Sequence, residues 1–328
     1  MLLTAHRGIW NAETLELRSA LCEELAGLAA ELRDPAVDVG VQEHLTQLHA
    51  ERGELAHARA AVERWRQLAD ELGQPTPRWV STYMLAGLEL LHGRLAVGER
   101  LAGQAFQIGQ ESVPSDAAQV YGGQLGFIRR YQGRADELIE RQEQAVSAHP
   151  GVVAWRAGLA GSLCWLDRHA EANSILDDAA SDGFEHVAPV LTMLATLALY
   201  ADAAAQTRHV KAAKTLYRRM EPFSKQVVWM TIQGYGHVRL WLGLLADVLG
   251  DHEQADEHLG FACEFHEANE LQLWAARGDL GWAEALAARG DASGAQEHAT
   301  RALELSREHG YGAFEPRAAA LVETTAEA

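Results

Sequence analysis

A glycine that returns every 40 residues constrains this chain more than any other feature. The spacings are 93 − 53 = 40, 133 − 93 = 40 and 290 − 250 = 40, for Gly53, Gly93, Gly133, Gly250 and Gly290. A fixed period of that length marks a supersecondary unit copied along the chain, each copy burying its apolar side against the next. The last copy shows what the unit is. Over Trp282–Tyr311 (WAEALAARGDASGAQEHATRALELSREHGY) two helical stretches, ending at Arg289 and starting at Ala292, flank Gly290-Asp291. Glycine there can take the left-handed conformation that closes a helix, and Asp291 can cap the next one. Leu286 on the first helix and Ala295, Ala299, Ala302 and Leu303 on the second fall at three- and four-residue spacings that make one apolar stripe, and the small alanines among them let two helix axes come close.

Between Gly133 and Gly250 the marker is lost, but Leu166-Asp167-Arg168-His169 and Gln206-Thr207-Arg208 stand where breaks are due. Five residues beyond each break lies a small or apolar residue: Ala58, Gly98, Leu138, Ala172, Ala213, Ala255 and Ala295. These define seven hairpins, one shortened because 172 − 138 = 34. The expected fold is all-α, a right-handed superhelical solenoid of about seven helical hairpins, in one domain over 1–328. A helix over 12–35 leads in, the repeats occupy 41–309, and a capping helix covers 315–327. Within the array the first hairpin is read as Val41–Leu72, and the sixth, Lys225–Ala268, as having an unusually long first helix containing Trp229, Tyr235, His237, Arg239 and Trp241. Met1 followed at once by mid-pattern residues suggests a piece of a longer protein.

Helical pairs with Gly-Asp or Gly-Arg breaks and alanine-rich second helices resemble the tetratricopeptide repeat, here lengthened to 40 residues. Gln74–Trp79, Ala118–Gly133, Pro150–Ala160 and Gly236–Gly250 further resemble the C-terminal repeat region of actinobacterial ATP-dependent LuxR-type regulators and ATPase-linked nucleotide cyclases. That resemblance implies a cytoplasmic sensor or interaction region beside an ATPase, cyclase or DNA-binding module, although no such segment occurs in this chain.

Composition narrows the partners. A net charge of −18, from 46 acids against 28 bases, repels phosphate backbones and anionic lipids, so direct nucleic-acid or membrane binding is not expected. The most apolar run, Val187–Ala201, has 15 residues with a proline inside it, shorter than the ~20 that span a bilayer; a buried helix is expected. Met1 to Trp10 lacks the apolar core of a secretory signal. Cys22, Cys164 and Cys263 are odd in number and far apart, which fits a reducing cytoplasm.

Tests for chemistry return little. None of Lys211, Lys214 and Lys225 follows a glycine, so there is no phosphate-binding loop, and no Gly-x-Ser-x-Gly elbow occurs. His252-Glu253-Gln254-Ala255-Asp256 departs from a zinc-protease helix at its fifth residue, and His258, Cys263 and His266 nearby read as a solvated helix with a buried thiol rather than a metal site. Glu23-Glu24, Asp136-Glu137 and Asp177-Asp178 read as polar faces. No catalytic residue, metal or cofactor is therefore expected.

In tetratricopeptide arrays the first helices of the pairs line the concave surface. Counting back from each break places Tyr83, Phe127, Arg130, Tyr131, Trp165, His237 and Glu284 there. Aromatic rings offer rigid contact area and arginine a planar donor fork. For Arg130 and Tyr131, ligand contact and core packing are equally weighted, whereas Trp155, Trp229, Trp241, Trp274 and Trp282 are expected to fill gaps between hairpins. The expected function is a non-catalytic regulatory module holding a protein segment or small effector in its groove. The alternatives are an enzyme with a pocket inside the superhelix and a scaffold that oligomerises through an uncapped end, which apolar residues exposed on the first helix would favour.

Overall fold

A computed structural model of the protein describes residues 9–326. The first eight positions of the amino-terminal segment read as lacking a secretory signal, and Glu327 at the end of the expected cap, lie outside the described residues. Among the described residues the chain forms α1 Leu15–Leu32, α2 Pro35–Arg52, α3 Leu55–Leu72, α4 Pro75–Leu91, α5 Leu95–Gln110, α6 Pro114–Tyr131, α7 Ile139–Ala148 and α8 Val153–Cys164. It continues as α9 His169–Ser181, α10 Met193–Gln206, α11 Val210–Met220, α12 Val238–Val248, α13 His252–Ala268, α14 Gln272–Ala288, α15 Ala292–His309 and α16 Glu315–Ala326. Helices pack chiefly on their chain neighbours, most extensively α14 on α15, α4 on α5, α2 on α3 and α12 on α13. Alternate helices also meet, α12 with α14 and α9 with α11. No described helix is long and apolar enough to cross a membrane.

The breaks have the backbone that the spacing implies. The five marker glycines have φ between 75° at Gly53 and 83° at Gly290, and where the marker is lost Asp167 (57°) and Arg208 (54°) take up the left-handed conformation instead. Asp291 accepts from the amide of Gly294 at 3.0 Å and so caps α15. All seven positions five beyond the breaks are buried. At Gly98 even a methyl group would strike the side chain of Leu90, so the small residue there sets how closely α4 and α5 approach.

Three boundaries differ from expectation: the buried helix expected over Val187–Ala201 begins only at Met193, and two hairpin starts also move. The first hairpin starts at Pro35 rather than Val41, because Asp34 accepts from the amide of Ala36 at 2.8 Å and Pro35 takes the first helical position; the Asp-Pro pair opens a helix as well as ending one. The sixth hairpin does not have a long first helix. Val227–Trp229 (β1) and Gly234–His237 (β2) form a two-stranded sheet, and α12 begins only at Val238. β-Branched and aromatic residues favour the extended backbone of β1. Gly236 at φ 69° lies where an added Cβ would come within 2.9 Å of Trp274 Cγ, a close approach that only glycine permits.

The chain divides into two compact units. The first takes in the chain up to Leu125 with Pro189–Met193 and Gln226–Gly234; the second is Gly126–Ala188, Leu194–Lys225 and the chain from Tyr235 on. In the first unit, Trp229 donates its indole N–H to Gln47 Oε1 at 2.6 Å, and Gln124 Nε2 donates to the carbonyls of Ile232 (2.7 Å) and Tyr83 (2.8 Å).

In the second unit the turn before α16 packs on the end of α6. The amide of Ala313 donates to the Tyr131 carbonyl, and a Cβ on Gly133 would come within 2.8 Å of the Gly312 carbonyl carbon. Helices far apart in sequence therefore touch directly in this unit. Around that contact Phe127, Tyr131, Tyr235, Trp274 and Phe314 form an edge-to-face aromatic core, with Phe127 and Tyr131 centroids 4.7 Å apart.

Candidate functional site

The second unit brings together charged and aromatic side chains from α8, α10, α14 and α16. Trp165 follows the last turn of α8, where the chain begins its break toward Asp167. Arg317 of α16 stands over that indole, its Cζ 5.1 Å from the ring centroid, and reaches Glu284 Oε1 on α14 at 2.5 Å through Nη2. Its Nη1 donates to Gln206 Oε1 at 2.9 Å, and Gln206 Nε2 donates in turn to Asp202 Oδ2 at 3.1 Å. Asp202 Oδ1 also accepts from Nε and Nη2 of Arg277, at 3.1 and 2.7 Å. The guanidinium of Arg277 lies 5.7 Å from the same indole centroid.

The network grades from buried to exposed. Arg277 and Asp202 are 2% and 3% exposed, whereas the side chains of Glu284 and Arg317 are 32% and 36% exposed and Trp165 is half-buried. Burial works against the charge on Arg277, yet Asp202 beside it holds the guanidinium above its usual range. Nη1 of Arg277 is buried and has no hydrogen-bond partner among the described residues, and a buried donor left unsatisfied costs about 1–3 kcal/mol. Arg130, 5% exposed, donates to Ser162 Oγ (3.2 Å) and the Gly158 carbonyl (2.7 Å), both uncharged. Burial pushes the Cys164 thiol up to about 12, so it is a packed, unreactive group.

Of the seven residues placed on the inner face by counting, Trp165 and Glu284 belong to this half-exposed network. Arg130 and Tyr131 sit beneath it, with Tyr131 1% exposed, and Phe127, 2% exposed, is core. For Arg130 and Tyr131 the packing alternative is therefore the one the structure shows. Tyr83 is half-buried in the first unit against Trp79, their ring centroids 5.1 Å apart. His237 is not on a helix face. It precedes α12, where its Nδ1 accepts from the amide of Arg239 at 3.2 Å, and its ring packs on Phe261 and Phe265. Three of the five gap-filling tryptophans, Trp229, Trp241 and Trp274, are buried, while Trp155 and Trp282 are half-buried.

Asp202, Gln206, Arg277 and Arg317 escaped the sequence reading. Asp202 and Gln206 are one helical turn apart on the first helix of a pair, a usable signal hidden in the alanine-rich run of α10. Arg317 lies on the expected capping helix, to which no site residue was assigned. The cluster around α13 does not converge as a metal site: His258 faces Tyr217 and Arg239, while His266 Nε2 accepts from the amide of His237 at 2.9 Å.

No protein-family model matches the chain, and no curated protein matches it. Fold and site together define a class: an all-α protein of consecutively packed helices, with a mixed aromatic and ionic patch supported on buried arginines.

Proposed function

We propose that this chain is a non-catalytic recognition module of the tetratricopeptide type, its seven hairpins winding into a right-handed superhelix. In this reading the patch around Trp165 and Arg317 lies on the concave side and takes a protein segment or small effector bearing a carboxylate or comparable anionic group. One observation carries it: a half-exposed indole and guanidinium from distant parts of the sequence share one buried network, which supplies rigid contact area and donors already oriented. Arg277 and Arg317 are balanced by Asp202 and Glu284, but Arg130 has only neutral hydrogen-bond partners among the described residues. The patch thus carries one surplus positive charge on a chain of net charge −18. The regulatory role, beside an ATPase, cyclase or DNA-binding module in a cytoplasmic bacterial regulator, rests on the repeat resemblance. Selection of a displayed random-peptide library on the purified protein tests the reading: enriched peptides sharing an acidic side chain or free C-terminal carboxylate support it, and enrichment of basic or purely apolar peptides refutes it.

A second reading has its own observation. Leu17, Leu28 and Leu32 on α1 are 54%, 40% and 64% exposed, and their spacing puts them with Leu21 on one helical stripe. That is the feature expected of a scaffold associating through its first helix.

A further inference from the structure

The turn between α2 and α3 gathers a second group of residues, in the first unit. His49 lies in the last turn of α2, Glu54 directly follows Gly53, and His57 falls in the first turn of α3. The turn is pinned by its own backbone: the amide of Glu54 donates to the His49 carbonyl at 2.8 Å, and that of Gly53 to the Ala50 carbonyl at 3.2 Å. Ala50 and Ala58 beside it are fully buried, so the two helix ends are held in place while the three polar side chains face outward. His49 Nδ1 and Glu54 Oε2 are 2.5 Å apart, and the two imidazole centroids are 5.2 Å apart.

One donor atom from each of the three residues lies within 4.8 Å of the other two. We infer that His49, Glu54 and His57 form a binding site for a divalent cation of the zinc class. Two imidazole nitrogens and one carboxylate oxygen suit such an ion, and three protein ligands leave a position for water. Donor atoms on a shared cation with bonds of about 2.0–2.1 Å stand at most about 4 Å apart. Small χ rotations of Glu54 and His57 close that gap, since His57 is exposed and the Glu54 side chain is 40% exposed. The ion replaces the His49–Glu54 hydrogen bond and joins the end of one helix to the start of the next. The sequence gives little sign of the site, because its histidines belong to different helices and only the turn brings them together.

The test is titration of Zn2+ into the untagged, chelator-stripped full chain, by calorimetry and native mass spectrometry. One equivalent should bind, and His57→Ala should weaken that affinity at least about tenfold, as loss of a direct ligand costs no less than loss of its supporting partner. Glu54→Gln, which keeps size and polarity, should weaken it similarly. Both variants should keep the metal-free thermal midpoint, since neither side chain is core, and should lose the rise in midpoint that zinc gives the parent. Absence of stoichiometric uptake, or equal affinity in parent and both variants, overturns the assignment.

Discussion

Arg317 lies over the Trp165 indole at 5.1 Å and is held there by Glu284. Both side chains are part-exposed, so the contact adds little to stability: exposed ion pairs contribute about 0–1 kcal/mol. Its consequence is positional. The guanidinium of a terminal helix is fixed beside an aromatic ring from the middle of the chain, and the buried Arg277–Asp202 pair next to them ties α14 to α10.

That support should dominate the energetics. Asp202→Asn leaves the Arg277 charge buried without its counter-ion and should cost about 3–5 kcal/mol, whereas the pair Asp202→Leu with Arg277→Met should cost much less. Chemical denaturation of the three proteins measures the difference.

The contact between Gly133 and Gly312 predicts an asymmetry among the marker glycines. Gly290→Ala meets open space and pays only for left-handed backbone, about 1–2 kcal/mol. Gly133→Ala adds a clash against the backbone of Gly312 to the same conformational cost, so its fall in thermal midpoint should be clearly larger.

Acid should weaken the fold through His266. Burial, with some repulsion from His237, pushes its imidazole down to about 3. It is therefore neutral when folded and takes up a proton near pH 6.5 when unfolded, so stability is full above that pH and declines as pH falls toward 3. At pH 5 the loss from this group is about 2 kcal/mol. His266→Gln, which keeps an acceptor for the His237 amide, should flatten the dependence of unfolding free energy on pH between 7 and 5; an unchanged slope contradicts the assignment.

If α1 is an association surface, Leu17→Glu with Leu28→Glu should turn an oligomer into a monomer by light scattering without lowering the thermal midpoint. A monomeric parent removes the scaffold reading.

Much of this organisation was legible in the sequence, for reasons that are local. Gly290-Asp291 specifies a left-handed residue followed by a cap, and Ala295 must be small where two helices cross, so a break and a ladder can be read without any partner. The sheet of β1 and β2 was not legible, because Val227-Val228-Trp229 suits a buried helix as well as a strand; the contact of Gly236 with Trp274 decides, and it joins residues of different helical pairs. The site divides the same way. Trp165 and Glu284 follow from counting along a repeat, whereas Arg277 with Asp202 and Arg317 with Trp165 exist only once distant helices have packed. Arg130 and Tyr131 are buried, Arg130 against Ser162 and Gly158 and Tyr131 under the turn before α16, contacts that counting along a repeat does not reveal.

Whether the Trp165–Arg317 patch is a recognition surface is decided by the dissociation constant of a library-selected acidic peptide for the parent protein and for Arg317→Ala and Trp165→Ala. Binding should weaken at least about tenfold in each variant, about 1.4 kcal/mol or more, with thermal midpoints close to the parent. Equal affinity in all three proteins would contradict it.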